Sequence, residues 1–514
     1  MKKNSRTYNI LLNSIYGVAA SAITIVLNFF VRVVLVRELG EEINGLHTLF
    51  QSITNVMLLM ELGISSAMII HLYEPLAQKN EQLVKEILSF YKRIYSYIAV
   101  AFSIVSILVA FFLLDSIVTT TLSMDKVRLY FLVFSISFTI NYLTYYKRSI
   151  LFAEQKNRIS IGVTALCEII FRTGQIILVI VYHQYLYFLI LVILEKLSSN
   201  LICNYYINKH YPYLKVIKGV QLAADKKKAI FDTVKPLFVN QFAGTVQQSS
   251  TGIIISILMG SVSVVGYFGN YQLIMMVVQT IYTQFGGSFT TSFGNLSVEK
   301  NKERMKVAYY KAAFIMNWMA IFFCSAFLVC ASDFIYLVFG KHFVLDNLSV
   351  FILALNLVVL LFDIPMISVQ NAMGLHRYDS RQMVYQALLT IILSFVLGKL
   401  WGMPGIFIGL LIPLVFFTLI RKGVVIGIKA LGINRKEYLS FISMELVKII
   451  LVMVVCNFLC KSLMIAPSIL SILIKLTIAI FISLFVPAIL SRKTQGYSDA
   501  LSLVSQIWLK VRRK

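Results

Sequence analysis

Ten ionisable side chains fall inside the long apolar runs of this chain: Arg32, Arg172, Lys196, Lys448 and Lys475, and Glu61, Glu168, Glu195, Asp363 and Glu445. A charge in such a run is costly unless it is paired or used, so each is a functional candidate. Spacing sorts them. Glu168 and Arg172 stand four residues apart, and Glu445 and Lys448 three apart, so each couple shares a helix face. Such neighbours can pair on their own helix, and for these four a structural pair competes with a site. Arg32 and Lys475 lie near the ends of their runs and can snorkel to water. Glu195 and Lys196 are adjacent, so they point in different directions and need different partners. Arg172 and Lys196 are the most central cations. A guanidinium fork matches phosphate geometry, so the chemistry suited to Arg172, Lys196 and Arg32 is recognition of an anion. Glu61 and Asp363 are the carboxylates suited to taking up a coupling ion, H⁺ or Na⁺.

Amides and small residues accompany the charges. The first apolar run carries Asn13, Gly17, Ala20, Thr24, Asn28 and Arg32 at steps of three and four, which is one helix face. Gln241, Gly244, Gln248 and Thr251 form a second stripe, and Gly269, Gln272, Met276, Gln279 and Thr283 a third. Polar groups avoid lipid, so these faces turn inward. They serve either close helix packing or the wall of a hydrated cavity made by spans 1, 2, 7 and 8. On the cavity reading Asn28, Gln241, Gln248, Gln272 and Gln279 join the cations as substrate contacts.

The elements that must position these residues are membrane helices. Of 514 residues 59% are hydrophobic and 14% charged, against roughly 25% charged in soluble proteins, and mean hydropathy is +0.81. About 20 apolar residues span a bilayer as a helix, and fourteen such runs follow one another. The first is too long for a cleavable signal and has no cleavage site after it. The net charge of +24 does not point to nucleic acid. Alternating the connections from the N-terminus places 36 of the 47 Lys and Arg on one side, 6 on the other and 5 inside spans. That is the positive-inside bias, which puts both termini in the cytoplasm and basic loops against anionic lipid. The loop 208–235 and the tail with Trp508 and Leu509 read either as amphipathic surface segments or as solvated basic linkers.

Six cysteines, at 167, 203, 324, 330, 456 and 460, form no CxxC or Cys/His spacing, so neither a metal site nor a disulfide framework is expected. Walker A, GxSxG and HExxH patterns are absent, which argues against an ATPase or protease. The reading is a non-enzyme without cofactor.

A repeat organises the chain. Gly40 and Gly45 punctuate the first outer turn, RELGEEING, and Gly260 and Gly266 the turn LMGSVSVVGYFG, at offsets of 220 and 221. QKNEQLVK (78–85) matches EKNKERMK (299–306) at 221, and FAEQKNR (152–158) falls opposite MGLHRYD (373–379). Thr24 and Asn28 then map onto Thr245 and Ser249. Six spans is an even number, so the halves are parallel. The expected architecture is all-α, with an N-terminal six-helix lobe (1–207), a cytoplasmic crossover (208–235), a second six-helix lobe (236–420) and a two-helix appendix with basic tail (421–514).

Three stretches carry a family resemblance: VLVRELGEEINGL, ELGISSAMIIHLYEPLAQKN and SSTGIIISILMGSVSVVGYFGNYQLI, with FGNLSVEKNKE after them. The chain resembles the multidrug/oligosaccharidyl-lipid/polysaccharide (MOP) exporter superfamily, specifically its Wzx-type polysaccharide flippases, over nearly its whole length. It departs at Gly252, where an acidic residue is common, and this puts any coupling role of that acid in doubt. The resemblance implies a bacterial cytoplasmic-membrane flippase moving undecaprenyl-pyrophosphate-linked oligosaccharide outward for capsule or O-antigen assembly, alongside a polysaccharide polymerase and other assembly proteins. Two rivals stand beside it. One is a cation-coupled MATE-type drug antiporter, disfavoured because residues 8–36 hold no Asp or Glu. The other is a lipid II flippase of the MurJ type.

Overall fold

The structure is a computed structural model that describes residues 6–61, 64–215, 221–298, 301–378, 380–463 and 465–492. The described residues form helices and connections, with no strand among them. Eleven continuous helical stretches are long and apolar enough to cross a membrane. Two of them are bent rods that each hold two spans. Gly40 (φ 84°, ψ 175°) divides the first into α1 (6–39) and the leading leg of α2 (41–57). Only glycine takes that backbone conformation without strain. α2 breaks at the tight turn Leu58–Glu61 and resumes as Ile64–Ala77. There follow α3 (Glu81–Ile117), α4 (Met124–Ala153), α5 (Asn157–Tyr182) and α6 (Tyr185–His210). Next come α7 (Ala224–Met259), α8 (Val262–Val298), α9 (Lys302–Phe339) and α10 (Asn347–Met373). A second turn, at Gly402 (φ 65°, ψ −139°), separates α11 (380–401) from α12 (403–431). The chain closes with α13 (Arg435–Ser462) and α14 (Ile469–Ser491). Among the described residues this makes fourteen long helices, the number of apolar runs in the sequence.

Packing divides the chain into two compact units, Met1–Gly266 and Tyr267–Lys514, with the boundary inside α8. In the first unit the rod Arg6–Met57 packs on α5 and α7, while α6 packs on both α4 and α5. In the second unit α9 is the hub, contacting α10, α13 and α14.

The local geometry keeps the sequence repeat. Asn80 caps α3 by accepting from the Leu83 N–H, and Asn301, 221 residues later, caps α9 from the Arg304 N–H. Gly40 and Gly260 both take positive φ at the head of a hairpin. Gly45 and its counterpart Gly266 meet each other within the first unit. A Cβ on Gly266 would stand 3.0 Å from the Gly45 nitrogen, and one on Gly45 would collide with the Val262 carbonyl.

Three basic side chains counted at loop level by the alternation of sides are instead buried. Lys147 Nζ donates to Asn208 Oδ1 (2.8 Å) and to the Leu214 carbonyl (2.9 Å). Arg148 donates to Thr164 Oγ1 (3.0 Å) and Ser199 Oγ (2.5 Å). Lys422 is buried against Asp363. The helices run past the apolar windows, so these cations are packed against neighbouring helices and connections rather than left in solvated loops. Part of the crossover also changes character. From Ala224 onward it is the first turns of α7, with Lys226 and Lys228 exposed, whereas 216–220 and the tail from 493, including Trp508 and Leu509, lie outside the described residues. The α4–α5 connection is clasped by Lys156, whose Nζ reaches Glu154 Oε2 (2.5 Å) and Tyr211 Oη (3.0 Å). Burial lowers the Lys156 pKa, but its bonds to Glu154 and Tyr211 outweigh this and hold it above the ordinary lysine value. Burial, and then donation to Glu154, pushes Tyr211 up to about 12.

Candidate functional site

α1, α5 and α6 bring three of the sequence candidates together in the first unit. Thr24 and Asn28 stand one turn apart on α1, as do Glu168 and Arg172 on α5. Thr24 Oγ1 donates to Glu168 Oε2, and Arg172 Nη1 donates to Asn28 Oδ1, both across a separation of 144 residues. The equal separation means that α1 and α5 run parallel in register. The polar stripe of α1 therefore meets the charged stripe of α5 rung by rung. α6 adds Glu195, whose Oε1 accepts from Lys196 Nζ at 2.9 Å.

Arg172 is ringed but not saturated. Its Nη2 lies 3.8 Å from Glu168 Oε1 and its Nε 4.0 Å from Glu195 Oε2. These are ion-pair distances, too long for hydrogen bonds, and Nε is buried without a hydrogen-bond partner among the described residues. Glu168 and Glu195 are buried, whereas the Lys196 side chain is 39% exposed. The cluster thus holds two cations and two carboxylates, a balanced set rather than a bare positive pocket. Adjacent Glu195 and Lys196, expected to seek different partners, bond to each other, because the long lysine stem curls back to the neighbouring carboxylate. An arginine with unfilled donors and an accessible ammonium can accept an oxyanion in exchange for carboxylate contacts.

The remaining candidates lie elsewhere. Half-buried Arg32 sends Nη2 to Thr48 Oγ1 (3.0 Å) and to the Gly266 carbonyl (3.2 Å), which ties α1 to the facing turns of α2 and α8. The side chains of Gln241 and Gln248 lie outside the described residues. Gln272 and Gln279 are half-buried on α8 in the second unit. Glu61, at the break in α2, accepts from Tyr95 Oη at 2.9 Å. Asp363 on α10 pairs with Lys422, at the end of a stretch of α12, Leu414–Lys422, wound with the wider π-helical spacing.

Hydropathy missed two charged partners in the second unit. Asp333 lies three residues beyond the ninth apolar run as read from sequence, yet α9 continues to Phe339. There its Oδ2 accepts from Lys475 Nζ (2.6 Å) and Ser471 Oγ (2.9 Å). Lys422 lies two residues beyond the twelfth run. A helix continuing past each apolar window was the signal available. The Glu445–Lys448 couple pairs on its own helix at 2.7 Å.

No protein-family profile matches this sequence, and no curated protein does. Solved structures do match in fold. The lipid II flippase MurJ, in an inward closed conformation, aligns over 93% of this chain and 99% of its own, with TM-score 0.70 and 15% identity. An inward-facing multidrug resistance MATE family transporter of the MOP superfamily aligns over 82% and 98%, with TM-score 0.66 and 14% identity. A MOP superfamily transporter from Pyrococcus furiosus aligns over 82% and 96%, with TM-score 0.57 and 13% identity. At such identities the shared property is the fold. The chain is a multi-pass membrane protein with the all-helical fold of MOP-type transporters, and these structural neighbours are transporters and flippases rather than catalytic enzymes.

Proposed function

We propose that this transporter-fold chain is a flippase for undecaprenyl-pyrophosphate-linked oligosaccharide, working by alternating access in a bacterial cytoplasmic membrane with both termini inside. The observation that carries the reading is the Arg172 cluster. A diphosphate entering it meets the accessible Lys196 ammonium first. It then takes up the unfilled Nε and Nη2 donors of Arg172 while Glu168 and Glu195 give way. The planar guanidinium suits a phosphate oxygen pair, and such charge-assisted contacts are strong where water is scarce. Amides such as Asn28, Gln241, Gln248, Gln272 and Gln279 suit sugar hydroxyls, and the polyprenyl tail stays in lipid. Arg32 supports this site from the outer turns. Glu61 and Asp363 are the carboxylates we assign to H⁺ or Na⁺ coupling. For Asp363 this requires the ion to displace Lys422, and the role fails if dissipating the ion gradients leaves flipping untouched. The natural partners are a polysaccharide polymerase and the other assembly proteins.

Arg172→Ala or Lys196→Ala is expected to abolish surface polysaccharide while the protein remains inserted. Wild-type polymer levels in both variants would remove these residues from the site. A lipid II substrate is the second reading, favoured because the alignment with MurJ runs over more of this chain than those with the multidrug transporters. Reconstituted vesicles offered either lipid II or undecaprenyl diphosphate carrying a non-peptide oligosaccharide separate the two. Flipping of lipid II alone would replace the primary reading.

A further inference from the structure

A cavity of about 530 Å³ opens in the second unit, walled by α9, α10, α13 and α14. Its polar lining includes Ser332, Asp333, Asn347, Asn457, Lys461 and Lys475. It adjoins the α9–α10 and α13–α14 connections, so it sits where helix ends meet the membrane interface. The volume falls within the ~300–1,000 Å³ of small-ligand sites.

The chemistry of the lining selects an anion. Lys475 Nζ bonds Asp333 Oδ2 at 2.6 Å, and among the described residues it makes no second hydrogen bond. Exposed Lys461 makes none among them either. One carboxylate therefore faces two ammonium groups, leaving a net positive charge and unused N–H donors. Asn347 and Asn457 add amides, which suit hydroxyls. The rest of the lining is largely apolar, with Leu328, Val329, Leu348, Val350, Phe351 and Ile465, and Leu348 among them is exposed. A soluble anion has no use for that apolar wall, whereas acyl chains do.

We propose that this cavity binds the headgroup of an anionic, hydroxyl-bearing glycerophospholipid of the phosphatidylglycerol type. The phosphate lies between Lys461 and Lys475, the headgroup hydroxyls lie on Asn347 and Asn457, and the acyl chains run over the exposed faces of α10, α13 and α14. The site is separate from the Arg172 cluster and does not depend on the transported substrate.

The test is thermal melting of the full-length protein in detergent with added phosphatidylglycerol, phosphatidylcholine or soluble glycerol phosphate. Phosphatidylglycerol is expected to raise Tm in a saturable way, and the other two are not. Lys461→Gln should weaken the phosphatidylglycerol response about fivefold, the worth of one lysine near an anionic headgroup, without changing the lipid-free Tm. The double change Asp333→Asn with Lys475→Gln, which keeps the buried pair neutral, should weaken it comparably. If that variant does not fold, Lys461→Gln decides alone. An equal response to phosphatidylcholine, an equal response to glycerol phosphate, or an undiminished response in the variants overturns the assignment. So does displacement of phosphatidylglycerol by undecaprenyl diphosphate, which would make the cavity part of the transport route.

Discussion

The two units handle buried charge differently. In the second, two deeply buried pairs are closed: Asp363 with Lys422 and Glu445 with Lys448, with side chains at most 8% exposed. In the first, Arg172 faces two carboxylates and an amide from three helices, hydrogen-bonds only the amide among the described residues, and neighbours an accessible lysine. A closed pair fixes helices, because breaking it strands a charge in low dielectric. A shared, unsaturated network can trade one anion for another at small cost. The contrast agrees with the proposed substrate role for α1, α5 and α6 and with a structural role for the closed pairs on α10, α12 and α13.

The largest expected effect breaks the contrast if it fails. Arg172→Ala should eliminate transport with little loss of assembled protein, whereas Lys422→Ala should destabilise by about 3–5 kcal/mol through the stranded Asp363. Thermal melting and polymer assays on both variants measure this, and Asp363→Asn with Lys422→Met should restore most of the stability. Equal destabilisation by the two single changes would erase the distinction between units.

Gly45→Ala comes next. The new methyl has only backbone to push against at Val262, so a loss of about 1–3 kcal/mol is expected. Gly17→Ala, with open space at the Cβ position, serves as the control and should be near neutral in the same melt. Smaller still are the caps. Asn80→Ala and Asn301→Ala should each cost about 1 kcal/mol, and should cost alike if the 221-residue repeat is a true structural equivalence. Unequal melting shifts would confine that equivalence to sequence.

The smallest effect is a matter of pH. The Lys156 pKa is raised in the fold, so its contribution is complete below the ordinary lysine value near 10.4 and is lost only as pH rises through the folded value. The melting difference between wild type and Lys156→Met should therefore be constant between about pH 6 and 9 and shrink only in strong alkali. A difference that changes across neutrality would mean that another group governs the clasp.

Much of this was legible in sequence because it rests on one-dimensional physics. Apolar run length gave fourteen helices, charge asymmetry gave an orientation to test, and the glycine and asparagine landmarks gave a repeat whose caps and turns are present in the fold. The stripe Thr24–Asn28 and the couple Glu168–Arg172 were visible as helix faces. Less legible were helix ends, since hydropathy marks where apolar surface stops and not where hydrogen-bonded turns stop. For that reason Asp333, Lys147, Arg148 and Lys422 were missed or placed in loops.

The sequence by itself determined the membrane class, the helix count, the repeat register and the charges that lie within the apolar runs. Only the tertiary structure decided who meets whom: Arg172 with Asn28 across 144 residues, Lys422 with Asp363 across 59, and Lys475 with Asp333 across 142. The reason is physical. A helix face is set by local spacing, but the net charge of a site is a sum over faces from different helices. That sum turned an expected cationic cavity into a balanced network in which an arginine is surrounded without being satisfied.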